Sequence, residues 1–174
     1  MVYDNAKFLL KKAIDSNYDS FKQEFINNHP NISDAPLYDT GKELDIHKKW
    51  KMIPIKMMGE WEYNNKIQHP ILSKFLESFG DSCRSAGYSI LDPTGVVTTH
   101  TDTEENHERY MIIHFPLIVP PGDVGFYEND IAGTWSEGDS FILDVESPHS
   151  IWNNTDNPRV VILIEMLKEV AYAI

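Results

Sequence analysis

Cys83 is the only cysteine in this 174-residue chain. An intrachain disulfide is therefore impossible, and a zinc site built from several thiolates is excluded. Long apolar runs are also missing. Nowhere do about eighteen apolar residues follow one another, and the opening MVYDNAKFLLKKAIDS lacks a cleavage-site pattern. These absences lead us to expect a soluble, cytoplasmic protein with no membrane partner. Basic residues are scarce, 15 Lys and Arg against 27 Asp and Glu, for a net charge of −12. A chain so acidic does not take the nucleic-acid backbone as its default partner. No repeat or low-complexity segment divides the sequence, so residues 1–174 read as a single domain.

What is present supports a packed globule: hydrophobic residues make up 41% and aromatics 11%. From Asn5 to Ile26, apolar residues such as Phe8, Ile14, Phe21 and Phe25 recur at helical spacing, with a break near Ser16-Asn17. The polar stretch from Asn31 to Lys49 reads as loop. Trp50 to Met58 reads as a strand, and Pro54 favours a sheet edge or a break there. Pro70 suits a first helical position and opens an apolar helical pattern that runs to Cys83, which should be buried on that helix. His29, His47, His69 and His107 read as surface or loop residues.

After Gly87 the texture changes. Tyr88–Leu91, Gly95–His100, Tyr110–Val119, Val124–Tyr127, Ser140–Asp144, His149–Asn153 and Arg159–Met166 are short β-branched or aromatic runs separated by turn formers. The expected fold is mainly β: a double-stranded β-helix, the eight-strand jelly roll of cupin-like folds, with N-terminal helices packed on one sheet. Helical and loop elements would occupy residues 1–87 and the jelly-roll core about 88–168.

Within that core, His100 and Asp102 stand two residues apart, so on an extended strand both point to one face. A second imidazole, His149, would complete a two-histidine, one-carboxylate face, the set typical of non-haem Fe(II) oxygenases. The bland reading of His149 is a hydrogen-bonded core histidine. Arg159 follows across a turn-rich segment, and a hairpin there would set residues 149 and 159 opposite each other. A guanidinium fork binds a carboxylate bidentately, and 2-oxoglutarate offers one at its far end. A solvated charge at a strand start is the alternative for Arg159.

These runs resemble the aspartyl/asparaginyl β-hydroxylase family of Fe(II)/2-oxoglutarate dioxygenases. The matching segments are Tyr88-Ser89-Ile90-Leu91-Asp92-Pro93-x-Gly95, His100-Thr101, His114-Phe115-Pro116-Leu117-Ile118-Val119-Pro120, Thr134-Trp135-x-Glu137-Gly138, Phe141 to Asp144, His149-x-x-Trp152, and Arg159. The resemblance implies that His100 and His149 bind iron and that Arg159 binds 2-oxoglutarate. It also implies that Ser89 and His114 belong to the cosubstrate pocket. The animal members have glycine at the Asp102 position, whereas this chain keeps a carboxylate, which we include as third ligand. An arginine that the family often places two residues before His114 is Ile112 here, and nearby Arg109 either substitutes for it from the loop or is surface charge.

Asp144 reads either as a hydrogen-bond partner of a ligand histidine or as a turn residue. Lys56 faces either the pocket or solvent, and Trp135 and Trp152 read as core rather than stacking platforms. The implied cofactors are Fe(II), 2-oxoglutarate and O2. The implied reaction is hydroxylation of an unactivated C–H, the β-carbon of an Asp or Asn residue in a protein or peptide. A free amino acid or other small molecule is the alternative substrate. A non-catalytic cupin-like binding module is the alternative of another class.

Overall fold

The computed structural model describes residues 3–32, 47–102 and 109–173. Residues 33–46, most of the expected loop, and His107 lie outside the described residues. The elements in chain order are α1 (Lys11–Asp15), α2 (Tyr18–Asn28), β1 (His47–Met57), β2 (Glu60–Trp61), α3 (Tyr63–Gln68) and α4 (Pro70–Glu77). Then come β3 (Cys83–His100), β4 (Tyr110–Ile118), β5 (Val124–Glu128), β6 (Ile131–Gly133), β7 (Phe141–Leu143), β8 (His149–Asn153), β9 (Arg159–Leu167) and α5 (Lys168–Ala171). The N-terminal helix is broken between Asp15 and Tyr18, where the sequence placed the break.

The strands form a single curled antiparallel sheet in the order β6-β5-β8-β3-β9-β4-β7, with β1 added along β3. This is the mainly β, cupin-like arrangement the sequence predicted. β3 ties the molecule together. β1 runs along both halves of it, β9 pairs with its first half and β8 with its second. Two separate strands, 88–91 and 95–100, were expected here. The chain instead runs through Pro93 as one strand that changes direction at Thr94, whose φ is 60°. Gly95 permits the turn, because a Cβ there would sit 2.7 Å from the Leu91 side chain and 2.8 Å from the Asp92 carbonyl oxygen.

Side chains alternate between the two faces of the sheet, as the strand period requires. On β9, Val160, Ile162, Ile164 and Met166 face a core shared with Phe21 and Phe25 of α2 and with Leu72 and Leu76 of α4. Arg159, Val161, Leu163 and Glu165 alternate with them and so lie on the opposite face. α2 also supplies a cap for α4. The Glu24 carboxylate accepts hydrogen bonds from Ile71 N (2.6 Å) and Leu72 N (3.0 Å), two amides that a helix start leaves without partners.

Several expectations change. β1 begins at His47 rather than Trp50, so the sheet starts well before residue 88. Of the two readings for Pro54 the edge holds: among the described residues only the two-residue β2 pairs with the other side of β1, and Pro54 lies opposite Gly87. α4 ends at Glu77, and Cys83 opens β3 instead of closing that helix, though it is fully buried. The short β2 and β6 and the helices α3 and α5 carry too few residues to show a period. His69 is completely buried rather than on the surface: its Nδ1 lies 3.1 Å from the Tyr88 hydroxyl and its Nε2 lies 3.2 Å from His29 Nε2. No helix among the described residues is long and apolar enough to cross a membrane.

Candidate metal and cosubstrate site

β3 and β8 bring the two candidate imidazoles together. His100 and His149 are register partners, and their rings lie 4.2 Å apart, centre to centre. Just past the end of β3, the Asp102 amide donates to the Val145 carbonyl (2.8 Å), which fixes the backbone where its carboxylate turns inward. One Asp102 oxygen lies 3.4 Å from His100 Nε2 and the other 4.0 Å from His149 Nε2. One ligand atom from each of the three residues falls within 4.8 Å of the others. Ligands about 2.0–2.2 Å from a common cation fit within that span.

The tautomers are set from behind. His100 Nδ1 lies 2.8 Å from the Thr98 carbonyl and His149 Nδ1 3.0 Å from the Ser147 carbonyl. A carbonyl only accepts, so each Nδ1 carries the proton, and each Nε2 presents a lone pair inward. The Asp102 carboxylate holds the His100 pKa above its ordinary value, whereas burial pushes that of His149 down. Asp144 does not bond a ligand histidine directly in this arrangement. Its carboxylate accepts from the Ser147 hydroxyl (3.0 Å), so it steadies the residue whose carbonyl orients His149.

The three residues open into a cavity of about 300 Å³, whose wall includes Trp50, Ser89, Ile112, His114, Leu143 and Leu163. Arg159 lies immediately behind that wall, completely buried. Its guanidinium stacks over the Trp135 ring at 4.9 Å, and one nitrogen reaches the Ser89 hydroxyl (3.4 Å) and carbonyl (3.5 Å). Burial pulls its pKa down to about 9, which leaves it cationic at neutral pH. Its Nε and Nη2, like Nδ1 of His114 and Nε1 of Trp135, are buried without a partner among the described residues. Each such group costs about 1–3 kcal/mol unless a ligand or water satisfies it. His114 is held neutral, its pKa pushed down to about 3 chiefly by burial and then by the Arg159 charge.

The hairpin that was to set His149 against Arg159 does not form. β8 pairs with β3 and β5, and β9 pairs with β3 and β4, so both strands flank β3 without pairing with each other. Arg159 is opposite Leu91. Arg109 is exposed and stands outside the cavity wall, the surface-charge alternative, and Ile112 lines the cavity. Lys56 is buried rather than solvated. It lines the cavity, and its ammonium donates to the Gly80 carbonyl at 3.0 Å. Trp152 is half-buried outside the cavity, its ring tilted against Tyr127 at 4.8 Å and its indole N–H on Asp123.

Trp50 was missed by the sequence reading. Its indole N–H donates to Ser89 Oγ at 2.9 Å. The signal was its two-residue spacing with Met52 and Pro54, which places all three on the cavity face of β1.

The chain is 24% identical over 173 residues to the ornithine lipid ester-linked acyl 2-hydroxylase of Rhizobium tropici, a match covering 96% of this chain and 60% of that protein. The chain thus spans about 60% of that relative's length. Among solved structures, a cupin-2 domain protein from Rhodospirillum rubrum aligns with a TM-score of 0.47 at 9% identity, over 75% of this chain and 67% of its own. The Cupin_2 domain of an XRE family transcriptional regulator from Enterobacter cloacae aligns at 0.44 and 11%, over 68% and 97%. The family model described as aspartyl/asparaginyl β-hydroxylase matches residues 14–169, nearly the whole sequence. That span takes in both histidines, Asp102 and Arg159, and the chain belongs to the aspartyl/asparaginyl β-hydroxylase family.

Proposed function

We propose that this protein is an Fe(II)- and 2-oxoglutarate-dependent hydroxylase. The observation that carries the reading is the meeting of two imidazole Nε2 atoms and one carboxylate at a single point beside the cavity. His100, Asp102 and His149 would hold the iron, and a three-sided set leaves positions for cosubstrate and oxygen. Iron and 2-oxoglutarate, when bound, supply the oxidant that converts an unactivated C–H to C–OH, using O2 and releasing succinate and carbon dioxide.

The protein's own contribution is orientation. Ser89 Oγ accepts from Trp50 and from Arg159, so its proton is free to be donated elsewhere. With the two unpartnered nitrogens of Arg159, that hydroxyl suits the distal carboxylate of 2-oxoglutarate. Neutral His114 offers a hydrogen bond from the same wall. By family, the hydroxylated position is the β-carbon of an Asp or Asn residue in a peptide or protein. A second reading, a C–H in an acyl chain or small molecule, is supported by the apolar wall of Met52, Ile112, Leu143 and Val145 and by the lipid named in the Rhizobium relative.

The test is anaerobic titration with Fe(II), with and without 2-oxoglutarate, followed by aerobic succinate measurement. A weak visible charge-transfer band and stoichiometric iron are expected. His149→Ala should abolish the band and succinate formation. Full 2-oxoglutarate consumption by that variant would remove the metal assignment, and absence of iron binding in the unaltered protein would favour a non-catalytic module.

A further inference from the structure

One polar cluster on the cavity wall has no part in holding metal or cosubstrate. Arg84, Ser85 and Glu165 all line the cavity. Glu165 is nearly buried, and its two oxygens accept from Arg84 Nη1 (2.8 Å) and Ser85 Oγ (2.7 Å). The Arg84 guanidinium packs over the Tyr110 ring at 5.4 Å, and its remaining N–H groups have no protein acceptor among the described residues. Each Glu165 oxygen likewise keeps a second lone pair.

We propose that the Arg84–Glu165 pair recognises the polar end of the substrate, a deepening that rests on the hydroxylase reading above. The pair is neutral in sum and offers a donor beside an acceptor. It therefore suits a group that carries its own acceptor beside its own donor, either an amide or a zwitterionic amino-acid head. A lone carboxylate would meet Glu165, and a lone ammonium would meet Arg84, each at a like-charge cost.

The register gives the spacing. Glu165 lies opposite Ile112, and two residues along the same strands Leu163 lies opposite His114. Two strand residues span about 7 Å. A polar end held at Glu165 thus projects a short apolar chain over Ile112 and Leu163 toward the region of His114, His149 and Asp102.

The test uses four probes with one six-carbon chain: L-norleucine, hexanamide, hexanoate and hexylamine. Each is titrated anaerobically into protein loaded with Fe(II) and 2-oxoglutarate, reading the perturbation of the charge-transfer band. Norleucine or hexanamide should bind about tenfold or more tighter than hexanoate and hexylamine, and which of the two leads distinguishes an amino-acid from an amide source. Glu165→Gln should tighten hexanoate, and Arg84→Gln should tighten hexylamine. This reciprocal gain is one that a purely structural ion pair would not produce. Equal affinities, no binding of any probe, or no gain in either variant would overturn the proposal. The unaltered protein's ranking decides the matter if a variant fails to fold. Failure of the band itself, before any probe is added, would instead sink the hydroxylase reading.

Discussion

Arg159 concentrates the chemistry of the site at the scale of one residue. A buried cation without a carboxylate partner is expensive, and among the described residues this one has none: it lies under Ser89 and over the Trp135 ring, with two nitrogens unused there. Arg159→Ala should raise the 2-oxoglutarate concentration needed for half-maximal succinate formation by about 10- to 100-fold, the loss of one or two charge-assisted hydrogen bonds. An unchanged requirement would take Arg159 out of the cosubstrate site. Iron affinity should change much less, because the candidate metal ligands stand on β3, β8 and the residues just after β3. The sequence announced this arginine by type and position but misplaced its neighbour. Adjacency along the chain suggested a hairpin from His149 to Arg159, whereas the sheet inserts β3 between the two strands. Arg84 and Glu165 were not legible as a pair for the same reason: 81 residues separate them, and only the β3–β9 pairing brings them together.

Elements, by contrast, were largely readable after Gly87. β-Branched runs bounded by Pro, Gly, Asn and Asp mark β4, β5, β7, β8 and β9 to within a residue or two. β1 was legible as a strand but not as a wall of the site, since Trp50 and Met52 look like any core residues until the register places Met52 opposite Ser89. Its contact with β3 is close. A Cβ on Gly87 would lie 2.6 Å from the Ile53 carbonyl oxygen and 2.9 Å from Pro54 Cα, both backbone atoms that cannot swing aside. Gly87→Ala should therefore push the two strands apart, at a cost of about 1–3 kcal/mol. It should also loosen the Trp50–Ser89 hydrogen bond. The check is a denaturant midpoint together with the 2-oxoglutarate requirement. A variant as stable as the parent, with the same requirement, would show that the strands have slack.

Across the whole molecule, one face of the sheet carries chemistry and the other carries stability. On the helix-covered face, Phe21 is fully buried against Phe75 and Phe115. Phe21→Ala should cost about 3–5 kcal/mol while leaving iron affinity per folded molecule unchanged, as thermal melts and iron titration would show. The same face makes stability depend on pH. Burial pulls the His69 pKa down to about 4, while an unfolded imidazole takes its proton near 6.5. The unfolded chain thus binds the proton first on acidification, and stability falls as pH drops from about 6.5 toward 4. The loss amounts to about 3 kcal/mol at most, at about 1.4 kcal/mol per pH unit. His29, in contact with His69 and also shifted down by burial, adds in the same direction, whereas Glu24, shifted up by burial, opposes it. The comparison of unaltered protein with His69→Gln isolates the term, and the variant should show the shallower decline in melting temperature. Parallel declines would assign the acid sensitivity elsewhere.

The bend at Thr94 in β3 has a consequence for how this protein can vary. Ser89 and His100 belong to one strand and both face the cavity, although their offset is eleven residues, an odd number. The turn at Thr94 and the register shift between Val97 and His100 make up the difference. The offset thus works as a ruler with the candidate cosubstrate contact at one mark and a candidate iron ligand at the other. A residue gained or lost between those marks would rotate everything beyond it by half a turn and leave His100 on the far side of the sheet from His149. Length polymorphism should therefore be lethal to activity in this stretch even where every individual substitution is harmless.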